Sequence, residues 1–275
     1  VVDRRIVVVP PNDVLRAFRA SEPLARLDGG QGQAFRSGDL VLKPCRDNER
    51  TRWVSELHER LEIDGFRVPR PVRSVDGRAV SGGWQAWAFV EGEHRTDRWP
   101  EVVDLCVAFH REISDVPRPD WLDRVGLDDP WTIADKVAWD EIDYSFHPSV
   151  APIVERLRRC LRPIDTPSQL IHGDFPGNVL FSEYLPPAVI DFSPYWRPAG
   201  FAAGVVVADA IVWEGAEVSL IDEAQGIEGF DQFLARAELR RIIEVDAAHR
   251  LWNWDVLGEL DAHLPLVEAI EDRCR

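Results

Sequence analysis

Lysine is almost missing from this chain: among 32 basic residues only Lys43 and Lys136 are lysine. The bias reflects coding background more than physical demand, and it makes each surviving lysine worth inspecting. Long apolar runs are missing too. The longest, Phe201 to Trp213, falls short of the roughly 18 to 20 residues of a membrane span and contains Asp209. The opening VVDRRIVVVPP has neither the basic start nor the small-residue cleavage site of a secretory signal, so the expected location is cytoplasmic. Cys45, Cys106, Cys160 and Cys274 stand far apart, with no Cys-x-x-Cys pair and no Cys/His spacing of a zinc site. Buried thiols are expected, rather than a disulfide framework or a structural metal. A net positive charge is lacking as well: 48 acidic against 32 basic side chains give −16, which argues against a nucleic-acid partner.

The charge that is present is uneven. Residues 1–90 hold 15 basic and 12 acidic side chains, whereas residues 91–275 hold 17 and 36. The second part therefore favours a cationic or neutral substrate over an anionic one, although an acidic surface also serves solubility alone.

The pattern of apolar residues changes at the same place. Pro10-Pro11-Asn12-Asp13 offers a turn and an N-cap for a short helix through VLRAFRA. LARLDGGQGQAFRSGDLVLKP then reads as strand, glycine turn, strand, Ser-Gly-Asp turn, strand. In ERTRWVSELHERLE, Trp53, Leu57 and Leu61 recur every four residues, which is one face of a helix. VRSVDGRAV and WQAWAFVEGE read as two more strands, joined through Asp76-Gly77. From about Pro100 the spacing turns to 3.6, including the tail from Asp231 to Arg273, and only LIHGDF, VLF and AVIDF interrupt it. The expected fold class is α+β in two lobes: a strand-rich part, 1–90, and a helix-rich part, 91–275, with a small β insert.

The insert carries the chemistry. In LIHGDFPGNVLF, Asp174 ends an apolar run and is followed by Phe-Pro-Gly, which continues neither strand nor helix, so its carboxylate is presented from a loop. Asn178 opens the next apolar pair, and Asp191 closes AVIDF; a hairpin of two strands would return the second carboxylate to the first. A carboxylate acting as base, with a carboxylate and an amide oxygen holding Mg²⁺, is the set that phosphoryl transfer uses.

Those residues resemble the His-Gly-Asp, Asn and Ile-Asp-Phe signatures of the aminoglycoside phosphotransferase and choline kinase-like group, which shares the protein-kinase fold. HGDFPGNVLF, DFSPYWRPAGFAAGVVVADA and GGQGQAF are similar to an actinobacterial branch of that group. The resemblance covers most of the chain, with three motifs in the required order. It implies that Asp174 is the catalytic base for an acceptor hydroxyl, that Asn178 and Asp191 are metal ligands, and that His172 is structural. Mg²⁺ would arrive with ATP or GTP. One departure stands out: four residues separate Asp and Asn in the kinase pattern, but here only Phe175, Pro176 and Gly177 intervene.

The first part fits the same resemblance. In AFRSGDLVLKP, Lys43 points to the side opposite Leu40 and Leu42, where it could reach nucleotide phosphates. Gly29, Gly30 and Gly32 would let backbone approach phosphate, although GGQG alone is more often only a hairpin turn. The partner of Lys43 would be Glu56 or Glu49, seven residues apart on one helix face; Glu56 is preferred as mid-helix, against a solvated-face reading of either. WQAWAFVEGE resembles the hinge, with the backbone of Phe89, Val90 and Glu91 on the adenine edge, while Trp84 and Trp87 read as core. Arg197 either steadies the metal loop or touches phosphate.

The leading expectation is thus a Mg²⁺-dependent small-molecule kinase with a hydroxyl acceptor, cationic if the acidic second part selects it. Fold-level likeness does not choose among aminoglycoside, amino alcohol, sugar and nucleoside. A kinase-like binding protein without catalysis is the alternative, favoured by the shortened Asp–Asn spacing. A metallophosphoesterase would need further His-rich motifs, which His249 and His263 in helical tail segments do not supply.

Overall fold

The computed structural model describes residues 8–27, 32–254 and 257–275. The chain divides into two compact units, one of residues 1–93 with 180–190 and the other of residues 94–179 with 191–275. The division expected from the sequence put 180–190 with the second part. They belong with the first because the Arg67 N–H donates to Pro187 O (2.8 Å) and its Nε to Pro186 O (2.7 Å).

In the first unit a short helix α1 (Asn12–Ala17) precedes strands β1 (Ala25–Arg26), β2 (Phe35–Ser37) and β3 (Leu40–Pro44). Helix α2 (Asn48–Arg60), then β4 (Pro71–Val72) and β5 (Trp84–Ala88), complete it. The strands form one antiparallel sheet in the order β1-β2-β3-β5-β4. One face carries Phe35, Leu42, Trp84 and Ala86 onto Val14, Leu15 and Phe18 of the α1 region. Burying each of the Phe, Leu and Val side chains contributes roughly 1.5 to 3 kcal/mol. Pro11 takes the N-cap position of α1 with no side-chain bond, so the cap expected from Asn12 or Asp13 does not form. Helix α2 starts instead on a true cap: Asp47 Oδ1 accepts from the N–H groups of Glu49 (2.8 Å) and Arg50 (3.1 Å). It buries Val54, Leu57 and His58.

The second unit is mainly helical: α3 (Trp99–Glu112), α4 (Pro130–Ala138) and α5 (Ala151–Cys160) come before the β segment. That segment comprises β6 (Gln169–His172), the start of β7 (Val179–Leu180) and β9 (Pro194–Arg197), while the end of β7 and all of β8 (Ala188–Val189) fall in the 180–190 stretch of the first unit. Helices α6 (Ala199–Trp213), α7 (Leu220–Glu223), α8 (Phe230–Trp252) and α9 (Leu260–Arg273) follow. Helix α6 is buried from Phe201 through Ala210 without a break, as expected of a helix apolar all round. A Cβ on its Gly204 would lie 2.7 Å from Phe233 O of α8, so glycine is what lets the two backbones touch. The helical tail is divided at Asn253, whose left-handed backbone (φ 52°) ends α8. All four cysteines are free thiols, Cys106 and Cys160 buried. Among the described residues no helix is long and apolar enough to cross a membrane.

Candidate active site

Strand β6 leads into the loop that holds Asp174. Its partner is β9, with His172 opposite Pro194, and the Gly173 N–H donates to Ser193 O at 2.9 Å. The hairpin expected between the runs ending in Asp174 and Asp191 is therefore not the pairing that forms, since β8 ends at Val189 and pairs with β7. Asp191 stands on a bend between β8 and β9, in left-handed backbone (φ 51°) that breaks the extended run. Asp174 and Asp191 nonetheless lie at the same end of the β6–β9 ladder, because Asp174 follows Gly173 and Asp191 precedes Ser193 by two residues. A Cβ at Gly173 would lie 2.3 Å from the Tyr195 ring, so a side chain there would drive the two strands apart.

A buried aromatic floor fixes this loop. His172 is fully buried; its N–H donates to His110 Nε2 (3.0 Å), and its Nδ1 accepts from the Asp174 N–H (3.2 Å). The structural role expected of His172 is what this geometry provides. His110 Nδ1 lies 2.6 Å from Cys106 O, so its proton sits on Nδ1 and donates there. Burial lowers the His110 pKa to about 3, with the Cys106 bond opposing and His172 adding to the fall. Phe175 is fully buried and meets His172 at 5.5 Å between ring centroids, while Phe192 meets Phe109 at 5.8 Å.

On this floor the Asp174 carboxylate is open to solvent, its side chain 53% exposed. Asn178 closes the loop: its Nδ2 donates to Asp174 O at 2.5 Å and its N–H to Phe175 O at 3.2 Å, with Gly177 in left-handed backbone (φ 72°). The shortened spacing is accommodated as a tight turn. With Nδ2 engaged, the amide oxygen is the atom left for a ligand. That oxygen and the exposed Asp191 carboxylate are hard donors of the kind Mg²⁺ takes alongside phosphate oxygens and water. Among the described residues no group of three or more His, Cys, Asp or Glu gathers to hold a metal.

A buried charge network behind the loop was not anticipated. Arg240 Nη1 donates to Gly173 O (2.7 Å), the carbonyl just before Asp174. Arg241 Nη2 lies 3.6 Å from Asp174 Oδ1, and its guanidinium grips Asp209 of α6 through two bonds of 2.7 and 2.5 Å. Glu244 accepts from Arg241 Nη1 (2.7 Å), and its other oxygen lies 2.9 Å from Arg240 Nε, off the hydrogen-bond direction. Burial works against the Arg241 charge, but Asp209 and Glu244 hold its pKa well above the ordinary value. Burial pushes Asp209 up to about 6 against the pull of Arg241, so the pair stays ionised at neutral pH. The only signal in the sequence is the lone acid inside VVVADAIVW; Arg240-Arg241 reads as an ordinary exposed pair. Arg197 is tied to Asp135 (2.6 and 3.1 Å) and Glu141 (2.5 Å), so it braces β9 against α4.

In the first unit Lys43 sits half-buried on β3 opposite Gln85, on the face away from Leu42. Gly32 is in left-handed backbone (φ 60°) and its carbonyl accepts from Arg26 Nε at 2.8 Å; Gly29 and Gly30 lie outside the described residues. Glu56 and Glu49 are both exposed on α2, and the charge of Glu56 acts on Arg73, which Glu59 holds through two bonds of 2.7 Å. The Phe89 N–H donates to Asp39 O (2.8 Å) and Glu91 O accepts from Arg67 Nη2 (2.8 Å), whereas the Val90 backbone makes no hydrogen bond among the described residues. Trp84 and Trp87 are core side chains.

Comparison with known proteins bears on the fold and the family. No curated protein sequence matches the chain. Solved structures do: a microcompartment-associated aminopropanol kinase is 15% identical, with a TM-score of 0.63 over 95% of this chain and 97% of that one. A choline/ethanolamine kinase family protein from Mesorhizobium loti is 14% identical, with a TM-score of 0.60 over 91% and 88%. An amicoumacin kinase in complex with AMP-PNP, Ca²⁺ and Ami is 14% identical, with a TM-score of 0.59 over 91% and 88%. These likenesses show a kinase-like α+β fold. The model of the phosphotransferase enzyme family matches residues 24–195, more than half of the sequence, and the chain belongs to that family.

Proposed function

We infer that this enzyme transfers the terminal phosphoryl group of ATP or GTP to a hydroxyl of a small molecule, in a Mg²⁺-dependent reaction in the cytoplasm. The observation that carries the reading is the braced loop: an open carboxylate, Asp174, on a backbone whose own N–H and C=O and preceding Gly173 carbonyl are held. In the proposed step Asp174 accepts the acceptor's hydroxyl proton as its oxygen bonds to phosphorus and the bond to the departing nucleoside diphosphate breaks. Asn178 and Asp191 would hold the metal, which when bound neutralises phosphate charge. Lys43, with Glu56 as its expected partner, would neutralise charge on the nucleotide phosphates, with the backbone at Gly32 against them. The backbone of Phe89, Val90 and Glu91 would meet the adenine edge through groups other than the Phe89 N–H and Glu91 O, which Asp39 and Arg67 already engage.

The nucleotide is motivated by the amicoumacin kinase, seen with AMP-PNP, and the acceptor class by the aminopropanol and choline/ethanolamine kinases. An amino alcohol or amino sugar also suits the acidic composition of residues 91–275. Asp174→Ala should lower turnover by about 10²- to 10⁴-fold while nucleotide binding survives. The assay measures nucleoside diphosphate release from Mg·ATP and Mg·GTP with aminopropanol, choline, ethanolamine and kanamycin as acceptors. Equal turnover in the variant removes Asp174 from the chemistry. A wild-type protein that binds nucleotide without turnover supports a non-catalytic binding role, the reading that the short Asp–Asn spacing favours.

A further inference from the structure

Two consecutive arginines on α8 reach the two chemical parts of the same residue. Arg240 takes the carbonyl of the peptide entering Asp174, at 2.7 Å, and Arg241 faces the Asp174 carboxylate at 3.6 Å. Adjacent helical residues point about 100° apart, so together they embrace the loop rather than duplicate one contact. Neither guanidinium is loose. The Arg241 side chain is only 5% exposed and is locked by Asp209 from α6 and Glu244 from its own helix; Arg240 is 1% exposed and lies over the Tyr195 ring of β9 at 4.9 Å. The Asp174 carboxylate, by contrast, is open, and a side chain that exposed would sample several rotamers without a fixed charge beside it. A buried planar cation tied down on two edges supplies that fixed point.

We propose that Arg241 is a positioning residue for phosphoryl transfer: clamped by Asp209 and Glu244, it holds the Asp174 carboxylate in the orientation that meets the acceptor hydroxyl. The inference rests on Asp174 being the base. It assigns work to Arg241 that folding alone does not require, since Asp209 and Glu244 already satisfy the guanidinium. Arginine is needed because its fork can face three carboxylates at once, whereas a lysine carries the charge without the geometry.

The experiment compares Arg241→Gln, Arg241→Lys and the double variant Asp209→Asn/Arg241→Gln, which removes both charges of the Asp209–Arg241 pair and leaves Glu244 beside Arg240. Rates are read as ADP release from Mg·ATP with aminopropanol, choline, ethanolamine and kanamycin, and with water as the sole acceptor, per molecule competent to bind AMP-PNP. Misplacement of a base by about 1 Å costs up to about 10²-fold. The expected result is a 10- to 100-fold fall in kcat for Arg241→Gln and for the double variant, nucleotide KM within about twofold, and an intermediate kcat for Arg241→Lys. Wild-type kcat in Arg241→Gln overturns the proposal. So does recovery of kcat in the double variant, because Arg241 would then only balance the charge of Asp209. Asp174→Ala, assayed in parallel, separates the two levels: if it turns over like the wild type, or the wild type turns over nothing, the base assignment falls and this inference with it. If it is inactive while Arg241→Gln is not, this inference alone falls.

Discussion

His110 shows how much of the active loop depends on a residue that touches no substrate. It is held neutral because charging it in a fully buried aromatic setting would cost more than its single carbonyl bond returns. Its ordinary pKa near 6.5 falls to about 3 in the fold. The unfolded chain therefore binds more protons between those values, so the stability this group contributes is complete above about pH 6.5 and drains as pH falls toward 3. From pH 7 to 5 the loss is about 2 kcal/mol from His110 alone. Asp209 works in the opposite sense. Its folded pKa is raised to about 6, so protonation on acidification relieves a cost of burial. His110→Phe should be less stable at pH 7, because the His172 N–H loses its acceptor, yet should lose about 2 kcal/mol less than wild type between pH 7 and 5. Urea unfolding at the two pH values measures this, and an unchanged difference would contradict the buried neutral imidazole.

Residues at this scale were unevenly legible. His172, Asp174, Asn178 and Asp191 stand in one short stretch whose turn chemistry and residue types announce a loop with acids. His110, Arg240 and Arg241 reach the same loop from α3 and α8, 62 and 67 residues away for the contacts of His110 and Arg240, and no local pattern distinguishes them from core or surface side chains. Lys43 was marked by rarity and by its register on β3, both readable from sequence.

Among the elements, long periodic segments were legible and short strands were mispaired. The apolar stretch from Phe201 to Trp213 forms α6 and the alternation around Leu42 forms β3, because period and burial are local properties. The β segment misled because its strands have two to four residues, too few to show alternation, and because β6 skips the intervening β7 and β8 to pair with β9. What aligns β6 and β9 is side-chain fit, with Gly173 making room for the Tyr195 ring. Close fit also governs α6 on α8. Gly204→Ala would set a methyl 2.7 Å from the Phe233 carbonyl oxygen, where backbone cannot yield as a flexible side chain could. It should destabilise the protein by about 1 to 3 kcal/mol, read as a fall in Tm. Because Asp209 on α6 and Arg241 on α8 are joined across the same contact, it should also lower kcat. An unchanged Tm would contradict the close helix approach.

For the whole molecule, membership of the phosphotransferase enzyme family and a kinase-like fold account for the order in which the motifs occur along 275 residues. The excess of acid lies in residues 91–275, while residues 1–90 carry the rare Lys43 and a small positive excess. That asymmetry suits a reaction in which one part meets nucleotide phosphates and the other an amine-bearing acceptor. The central claim is that nucleotide and Mg²⁺ bind together through Asp191, leaving Asp174 for the acceptor. Calorimetric titration of AMP-PNP with and without Mg²⁺, on wild type, Asp174→Ala and Asp191→Ala, tests it most directly. The account predicts that Mg²⁺ tightens binding by about tenfold or more, roughly 1.4 kcal/mol, in wild type and Asp174→Ala, and that Asp191→Ala loses this dependence. Identical affinity with and without Mg²⁺ in the wild type, or a full metal effect in Asp191→Ala, would contradict it.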